Sequence, residues 1–189
     1  MFIARRPSPE DVDRFLQAAR DLPLSYDRIG LAKHNPDGFS VDEEETIIGS
    51  GEAAFRLATQ ALVAWTHFAV GWVELFPRGA AISPGTDVAV LARHVGFWSL
   101  NACRVVYSIG GRDETEFGFA YGTLTEHVEC GEEIFRIRFQ PESGDVSYLI
   151  RAASRPQAVL AKLGYPLTRA FQARFRHDST AALKRAIDG

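Results

Sequence analysis

The chain has 189 residues, 46% of them hydrophobic, and a formal net charge of −3 with an isoelectric point of about 6.0. This length and composition predict one globular domain, residues 1–189, with a sizeable core. The acidic balance gives no support for nucleic-acid binding. No apolar run approaches the roughly 20 residues needed to span a bilayer.

The cysteine content and the N-terminal residues indicate the compartment. Cys103 and Cys130 are the only cysteines, and they form neither a disulfide framework nor a zinc-binding pattern. Free thiols in a reducing compartment are expected, with a single bridge between neighbouring strands as the alternative. The start of the chain, MFIARRPSPEDVDRF, lacks the apolar segment of a signal peptide. These features predict a soluble, cytoplasmic protein without a metal or a cofactor.

The N-terminal part of the chain begins with a predicted helix. Ser8 is a suitable capping residue and is followed by a proline suited to the first turn, and Leu22-Pro23 ends the helix. Apolar residues recur within it at helical spacing: Val12, Phe15, Leu16 and Ala19. Residues 26–32, YDRIGLA, indicate a short strand, and the acidic run Asp42–Glu45 indicates a solvated edge.

A glycine-rich segment, Gly49–Ala54, matches the dinucleotide-binding pattern G-x-G-x-x-A. That pattern functions within a βαβ unit that has an acidic residue about 20 positions later. Here the preceding strand, residues 46–48, is very short, and the residues downstream read as strands. The favoured interpretation is that Ser50 caps a helix that extends to about Trp65.

From Thr66 onward the hydrophobic period changes to two, which predicts a series of strands. The first, residues 66–74, is apolar on both faces and is therefore expected to be buried between layers. A second strand is predicted at 87–94, and a third at 103–109 after an aromatic loop, VGFWSLN. The last strand is predicted at 145–154.

The densest pattern in the sequence lies in residues 117–139. Its first strand has an aromatic face and a small face, and the small face consists of Gly118, Ala120 and Gly122. Glycines within a strand mark a bulge or the close approach of another group. Two interpretations follow: a ligand or polar network lies over the small face, or a helix packs closely there and the strand bends.

The second strand of this region carries a buried carboxylate. Glu133 shares a face with Phe135 and with two further apolar residues, which points it towards the core, whereas Arg136 and Arg138 place the other face in water. A buried carboxylate requires a partner or neutralisation. The connection 125–131 carries His127 and Cys130, and it either brings chemistry to a rim or is a solvated loop.

The C-terminal third is predicted to be helical. A short helix begins at 154–156 and is interrupted at Gly164-Tyr165-Pro166. A long helix, residues 166–187, follows and would measure about 33 Å, with a bend or a new cap at His177-Asp178-Ser179. The order of elements predicts an α+β fold in which a curved antiparallel β-sheet wraps around a long C-terminal α-helix.

Several segments together resemble a family of unknown function, the "nineteen-ninety" domain of unknown function, which occurs in actinobacteria, other bacteria and plants. The segments are GFAYGTL, GEE-x-F, SRP, LGYPLTR, RFRHDS, GSGEAAF, GW and CRVVY. The resemblance implies the helix-grip fold of the Bet v 1-like plant allergens, the START-like lipid-transfer domains and the polyketide cyclases. It implies no activity and no catalytic residues.

A hollow between sheet and helix is expected to be lined by aromatic and polar side chains. The candidates are Trp72, His94, Trp98, Arg104, Tyr107, Tyr121, Glu133, Tyr148 and Arg155. The assignment of faces suggests two pairings, His94–Glu133 and Arg104–Glu133, and a histidine with a carboxylate would be able to perform acid–base chemistry. Alternatively, Arg104 and Glu133 form a structural ion pair between strands.

Three functions are compatible with these features. The favoured hypothesis is binding of a small apolar or amphipathic molecule, such as a lipid, a polyketide or an aromatic metabolite, since aromatic residues are abundant. The second is a cyclase- or hydrolase-type enzyme that uses an acid–base pair in the same cavity. The third is an interaction protein whose core is filled by its own aromatic side chains.

Overall fold

The computed structural model describes residues 1–111, 114–157 and 165–188, with side chains from residue 169 onward in the last range. In these ranges the strands are β1 Phe2–Ile3, β2 Ser40–Ser50, β3 Val73–Phe76, β4 Asp87–Arg93, β5 Trp98–Gly110, β6 Glu116–Thr123, β7 Glu129–Phe139 and β8 Asp145–Pro156. The α-helices are α1 Pro9–Ala19, α2 Gly51–Val63 and α3 Tyr165–Asp188. No described helix combines the length and the apolar character that crossing a membrane requires.

The strands form one antiparallel sheet in the order β2-β8-β7-β6-β5-β4-β3, and β1 pairs with the start of β5. Helix α2 connects the two edge strands, β2 and β3. Helix α3 contacts α2, β2 and the short 3-10 turn Thr66–Phe68 on one face of the sheet. The predicted α+β architecture, an antiparallel sheet around a long C-terminal helix, is confirmed.

Apolar side chains cover both faces of the sheet. The inner face, under α2 and α3, carries the main core, in which Phe119, Phe135 and Leu62 are fully buried. On the outer face Val12 of α1 packs against Leu91 and other residues of β4 and β5. The sheet therefore separates two environments, and alternate residues of each strand enter one or the other.

The predicted strand at residues 26–32 is wrong. This segment forms bends and a short 3-10 turn, Leu31–Lys33, on the outer face of the sheet. The backbone N–H groups of Gly30 and Ala32 donate to the carboxylate of Glu132 at 2.9 and 3.2 Å. A side chain remote in sequence thus satisfies donors that a strand would have given to a neighbouring strand.

The predicted strand at 66–74 is correct only at its end, because β3 begins at Val73. Trp65 and Gly71 both have a left-handed backbone, with φ of 58° and 78°, and they turn the chain on either side of the 3-10 turn. Phe68 and Trp72 are buried nevertheless. Their apolar character reflects packing of a turn against the core and not the alternation of a strand.

Strand β5 is longer at its N-terminal end than predicted. The expected aromatic loop around Trp98 is wrong in part, because β5 begins at Trp98. The pairing of Trp98 with Ile3 of β1 and with Arg93 of β4 extends the sheet there. A two-residue strand at the chain terminus supplies this pairing, and its shortness leaves little signal in the sequence.

The acidic run lies in β2, an edge strand as predicted, although the strand spans Ser40–Ser50 and is much longer than expected. Ser50 stands at the N-cap of α2, but its hydroxyl donates to the carbonyl oxygen of Gly144 at 3.0 Å and does not cap the helix. Because β2 pairs antiparallel with β8, the glycine-rich segment lies outside any βαβ unit.

Residues 154–156 belong to β8, so the helix predicted to begin there is wrong at its start. Residues 158–164 lie outside the described residues. Helix α3 confirms the predicted long helix and continues without interruption through His177-Asp178-Ser179. Ser179 is fully buried, and its hydroxyl forms a 3.0 Å hydrogen bond with the hydroxyl of Tyr148, which joins the helix to the sheet.

Candidate functional site: a cavity between the sheet and helix α3

A cavity of about 220 Å³ lies between the inner face of the sheet and helix α3. Its apolar wall includes Phe68, Trp72, Val73, Val90, Phe171 and Phe175. Its polar wall includes His94, Tyr121, His127, Glu129, Glu133, Gln172 and Arg176. The polar side chains are concentrated on β6, β7 and α3, so the cavity has an aromatic part and a polar part.

The strand register explains the position of the polar groups. Neighbouring positions of four strands form one transverse row on the inner face: Asp42, Ala152, Glu133 and Tyr121. Along β7 the same face carries Glu133 and Glu129, with Gly131 between them. From α3, Gln172 and Arg176 face this row from positions one turn apart.

Glu133 differs from the other carboxylates in its hydrogen bonding. Its Oε2 accepts a 2.8 Å hydrogen bond from the Tyr121 hydroxyl, and its Oε1 accepts none from the described residues. Burial raises the pKa of Glu133 to about 7, against the opposing effects of the Tyr121 hydrogen bond and the Arg176 charge. Near neutral pH this carboxyl group therefore exists in both protonation states.

Two further carboxylates on the inner face, Asp42 and Glu129, are held by side chains of α3. Asp42 accepts hydrogen bonds from Arg169, with 2.6 Å between Oδ1 and Nη2, and forms an ion pair with it. Glu129 accepts a 2.8 Å hydrogen bond from Nε2 of Gln172, while burial raises its pKa. In the transverse row, Asp42 is paired with an arginine, whereas Oε1 of Glu133 accepts no hydrogen bond from the described residues.

Two neutral histidines complete the polar wall. Nε2 of His94 lies 2.8 Å from the Ser99 hydroxyl, its Nδ1 is buried without a described partner, and burial lowers its pKa. Nδ1 of His127 accepts a 2.9 Å hydrogen bond from the N–H of Glu129, so the ring proton is on Nε2. Burial lowers the pKa of His127 to about 3. Within residues 1–111, 114–157 and 165–188, His, Cys, Asp and Glu form no group of three placed to hold a metal ion.

The model of the family "Domain of unknown function (DUF1990)" matches residues 25–182 of the chain. The chain belongs to the DUF1990 family. A UPF0548 protein of Dictyostelium discoideum is 34% identical over 99% of this chain and 96% of its own length. A UPF0548 protein of Deinococcus radiodurans is 32% identical over 98% of each chain, and one of Arabidopsis thaliana is 33% identical over 78% of this chain and 74% of its own.

Solved structures similar to this DUF1990 chain include two aromatase/cyclase proteins. The Zhui aromatase/cyclase of Streptomyces sp. R1128 superposes with a TM-score of 0.54 at 9% identity, covering 79% of this chain and 94% of that one. The di-domain ARO/CYC StfQ of the steffimycin biosynthetic pathway has a TM-score of 0.55 at 10% identity, covering 91% and 53%. At such identities the likeness concerns the fold alone, and it confirms the helix-grip architecture.

Some of the predicted site residues of this DUF1990 protein line the cavity, namely Trp72, His94, Tyr121 and Glu133. The predicted pairing His94–Glu133 places both side chains at the cavity, where His94 bonds to Ser99 and Glu133 bonds to Tyr121. The cavity thus brings the two side chains to one space without joining them directly.

The predicted pair Arg104–Glu133 is wrong, because the two side chains lie on opposite faces of the sheet. Nε of Arg104 donates to Oδ1 of Asp87 at 2.6 Å, and its Nη2 donates to Oδ2 at 3.0 Å. Arg104 also donates to the carbonyl oxygens of Leu22 and Arg20. This arginine ties α1 and its C-terminal connection to the outer face.

The remaining predicted residues lie away from the cavity. A β-bulge between Val105 and Tyr107 shifts the alternation of β5, so Tyr107 is on the outer face, where its hydroxyl donates to Glu132 at 2.8 Å. Trp98 lies beneath Arg6 and beside the α1 core. Tyr148 is buried in the inner core, and Arg155 lies over the ring of Phe39.

Glu129, Gln172 and Arg176 were not predicted as site residues. The alternation that placed Glu133 on the inner face also applies to Glu129, four positions earlier on the same strand. Gln172 and Arg176 each follow a predicted core phenylalanine, Phe171 and Phe175, and form the neighbouring ridge of the helix. Their side chains reach the cavity because α3 crosses the polar row, and only the packed helix reveals that.

The small face of β6 is explained by a polar network. An added Cβ at Gly122 would lie 2.1 Å from the hydroxyl of Tyr26, so the missing side chain admits this tyrosine. The Tyr26 hydroxyl donates to Oε2 of Glu132 at 2.8 Å. The interpretation that a polar network lies over the small face is confirmed. The prediction of a fully solvated face beside it is wrong, since Glu132 is 2% exposed.

Substituting Glu133→Gln is expected to stabilise the protein at pH 8 by about 1–2 kcal/mol and to leave its stability unchanged at pH 5. The raised pKa means that the folded state favours the protonated carboxyl, so wild-type stability decreases as the pH rises through 7. The glutamine side chain of the variant would remain neutral throughout. Urea unfolding of both proteins at each pH measures the difference, and an equal difference at pH 5 and pH 8 would contradict the raised pKa.

Proposed function

We propose that this DUF1990 protein, as one domain spanning residues 1–189, binds a small apolar or amphipathic molecule in the cavity between the sheet and α3. The observation that carries the proposal is an unfilled cavity of about 220 Å³ with aromatic walls and one carboxyl oxygen, Oε1 of Glu133, that is free of hydrogen bonds from the described residues. Ligand sites commonly combine apolar walls with a few convergent polar groups.

The size of the cavity supports binding over a filled core. Protein interiors leave few voids larger than a water molecule, and an apolar cavity of about 150 Å³ in another protein accommodates benzene. The cavity here is larger than that, and Phe68, Trp72, Phe171 and Phe175 line it. A bound organic molecule would gain dispersion contacts with these rings.

We expect native mass spectrometry of gently purified wild-type protein to show an additional mass that is released on denaturation. The variant Ala152→Leu should lose this mass, because Ala152 lines the cavity beside Glu133 and the larger side chain would fill it. The matched control is Ala170→Leu, the same change at an exposed position of α3, which should retain the ligand. A wild-type mass equal to that of the chain alone, or equal retention by both variants, would contradict the proposal.

A second candidate function is acid–base catalysis of the cyclase or hydrolase type in the same cavity. The observation that favours it is the pKa of Glu133, about 7, which suits a group that both accepts and donates protons at neutral pH. The fold neighbours named as aromatase/cyclase proteins are consistent with it. This function is supported if the wild-type protein converts the released molecule chemically and the Glu133→Gln variant binds the molecule without converting it. Binding without conversion by the wild-type protein would argue against catalysis.

A further inference from the structure

The polar part of the cavity has a surplus of hydrogen-bond acceptors. Three carboxylates on the inner face of the sheet are directed towards α3: Asp42, Glu129 and Glu133. Asp42 is neutralised by Arg169, and Glu129 is held by Gln172. Oε1 of Glu133 is left as an acceptor without a described donor. A ligand group that donates hydrogen bonds would fit this end of the cavity.

The positive charges near the cavity are already balanced. The Arg176 guanidinium lies 3.7 Å from Asp42 and 3.6 Å from Glu44 at their closest atoms, so two carboxylates of β2 surround it. His94 and His127 are neutral at pH 7 because burial lowers the pKa of each ring. An anionic ligand would therefore meet an excess of negative charge, whereas a cationic ligand would compensate it.

The aromatic walls of the cavity also favour a positively charged ligand. A cation is attracted to the face of an aromatic ring within about 6 Å of its centre. Trp72 already makes such a contact on one side, where the guanidinium carbon of Arg174 lies 4.7 Å from the ring centre. Phe68, Phe171 and Phe175 also line the cavity, and aromatic side chains suit an aromatic ligand body as well as a cationic group.

The cavity volume limits the size of the ligand. The cavity volume is about 220 Å³. An apolar cavity of about 150 Å³ takes up benzene, so this cavity has room for one ring or for two fused rings with a short substituent.

We infer that the ligand is an aromatic amine of one or two rings, whose ammonium group binds Oε1 of Glu133 and whose ring lies among Phe68, Phe171 and Phe175. This inference rests on the proposed function, binding of a small molecule in this cavity. It specifies the head group and the size that the proposed function leaves open.

If an ammonium group binds the Glu133 carboxylate, the affinity for the amine should depend on pH. Titratable and charged groups from all the packed elements face Glu133: Tyr121 of β6, Cys103 of β5, His94 just after β4, Asp42 of β2, Tyr148 of β8, Glu129 of β7 and Arg176 of α3. With the Glu133 pKa at about 7, the ionised fraction rises roughly tenfold from pH 6 to pH 8. A primary amine stays protonated in this interval, so its affinity should rise by a similar factor and binding should release a proton.

Isothermal titration with three matched probes tests the inference: 1-naphthylmethylamine, 1-naphthylmethanol and 1-naphthoate. They share two fused rings and differ in the charge of the head group. We expect the wild-type protein at pH 8 to bind the amine at least tenfold more tightly than the alcohol, and the acid most weakly. Glu133→Gln should remove the preference for the amine and its pH dependence, while the alcohol affinity stays within threefold.

Three results would overturn the inference, and they separate it from the proposed function. Tightest binding of 1-naphthoate, or an amine preference that survives in Glu133→Gln, refutes the role of the Glu133 carboxylate as the ammonium site. Equal affinities for the amine and the alcohol refute the preference for an ammonium head group, but they agree with the proposed binding of a small molecule. No binding of any probe to the wild-type protein overturns the inference together with the proposed cavity function. Glu142→Gln, at an exposed turn, serves as the charge-matched control.

Discussion

Replacing Glu132 by alanine is expected to lower the free energy of unfolding by about 3–5 kcal/mol. The carboxylate is 2% exposed and accepts hydrogen bonds from the Tyr26 and Tyr107 hydroxyls and from the N–H groups of Gly30 and Ala32. Removing it leaves several buried donors without an acceptor. Burial raises the pKa of both tyrosines above the ordinary value, and the nearby Glu132 charge adds to this, so they remain donors at neutral pH.

Urea unfolding compares Glu132→Ala with graded controls. Tyr107→Phe removes one of the hydrogen bonds and should cost about 1–2 kcal/mol. Glu142→Ala, at an exposed turn between β7 and β8, should change the stability by less than about 0.5 kcal/mol. A Glu132→Ala protein within about 1 kcal/mol of wild type would show that water replaces the carboxylate and that the network is not a major source of stability.

The substitution Gly122→Ala is expected to destabilise the protein by about 2–4 kcal/mol. Its new Cβ would lie 2.1 Å from the Tyr26 hydroxyl and 2.8 Å from Cε1 and Cζ of the ring. Tyr26 is 8% exposed and cannot remain in place, so its hydrogen bond to Glu132 would be lost with its packing. One added methyl group on β6 would therefore disrupt the outer network.

A double-mutant cycle isolates this cause. In a Tyr26→Ala background, where the ring is absent, Gly122→Ala should cost less than about 1 kcal/mol. Gly118→Ala is the contrasting change, because its Cβ would lie 2.4 Å from the backbone oxygen of Phe135, which the loss of Tyr26 does not move. If the losses of stability caused by Gly122→Ala and Tyr26→Ala simply add, the two residues do not clash and the steric explanation is refuted. If Tyr26→Ala also reduces the cost of Gly118→Ala, the effect is not specific to the contact between Gly122 and Tyr26.

Two consecutive glutamates of β7 have opposite environments. Glu132 points to the outer face and is saturated by four hydrogen bonds, whereas Glu133 points to the cavity and has one. The outer network anchors the strand, and the inner carboxyl is held at the cavity by the same backbone. The alternation of the strand thereby places the stabilising network and the proposed ligand contact on adjacent residues.

The cavity residues that could be predicted are those placed by strand periodicity. The alternation within 117–139 put Tyr121 and Glu133 on the inner face, and both line the cavity. It could also have placed Glu129. Tyr107 could not be placed, because the β-bulge after Val105 moves it to the other face, and a bulge leaves no periodic signal.

The sequence by itself determined the antiparallel sheet, the long C-terminal helix and the inward direction of Glu133, because these follow from the spacing of apolar residues along short stretches of chain. Only the tertiary structure decided that Arg104 binds Asp87, that residues 26–32 surround Glu132, and that α3 brings Gln172 and Arg176 to the cavity. Those outcomes depend on hydrogen bonds and packing between residues far apart in the chain, which local periodicity does not encode.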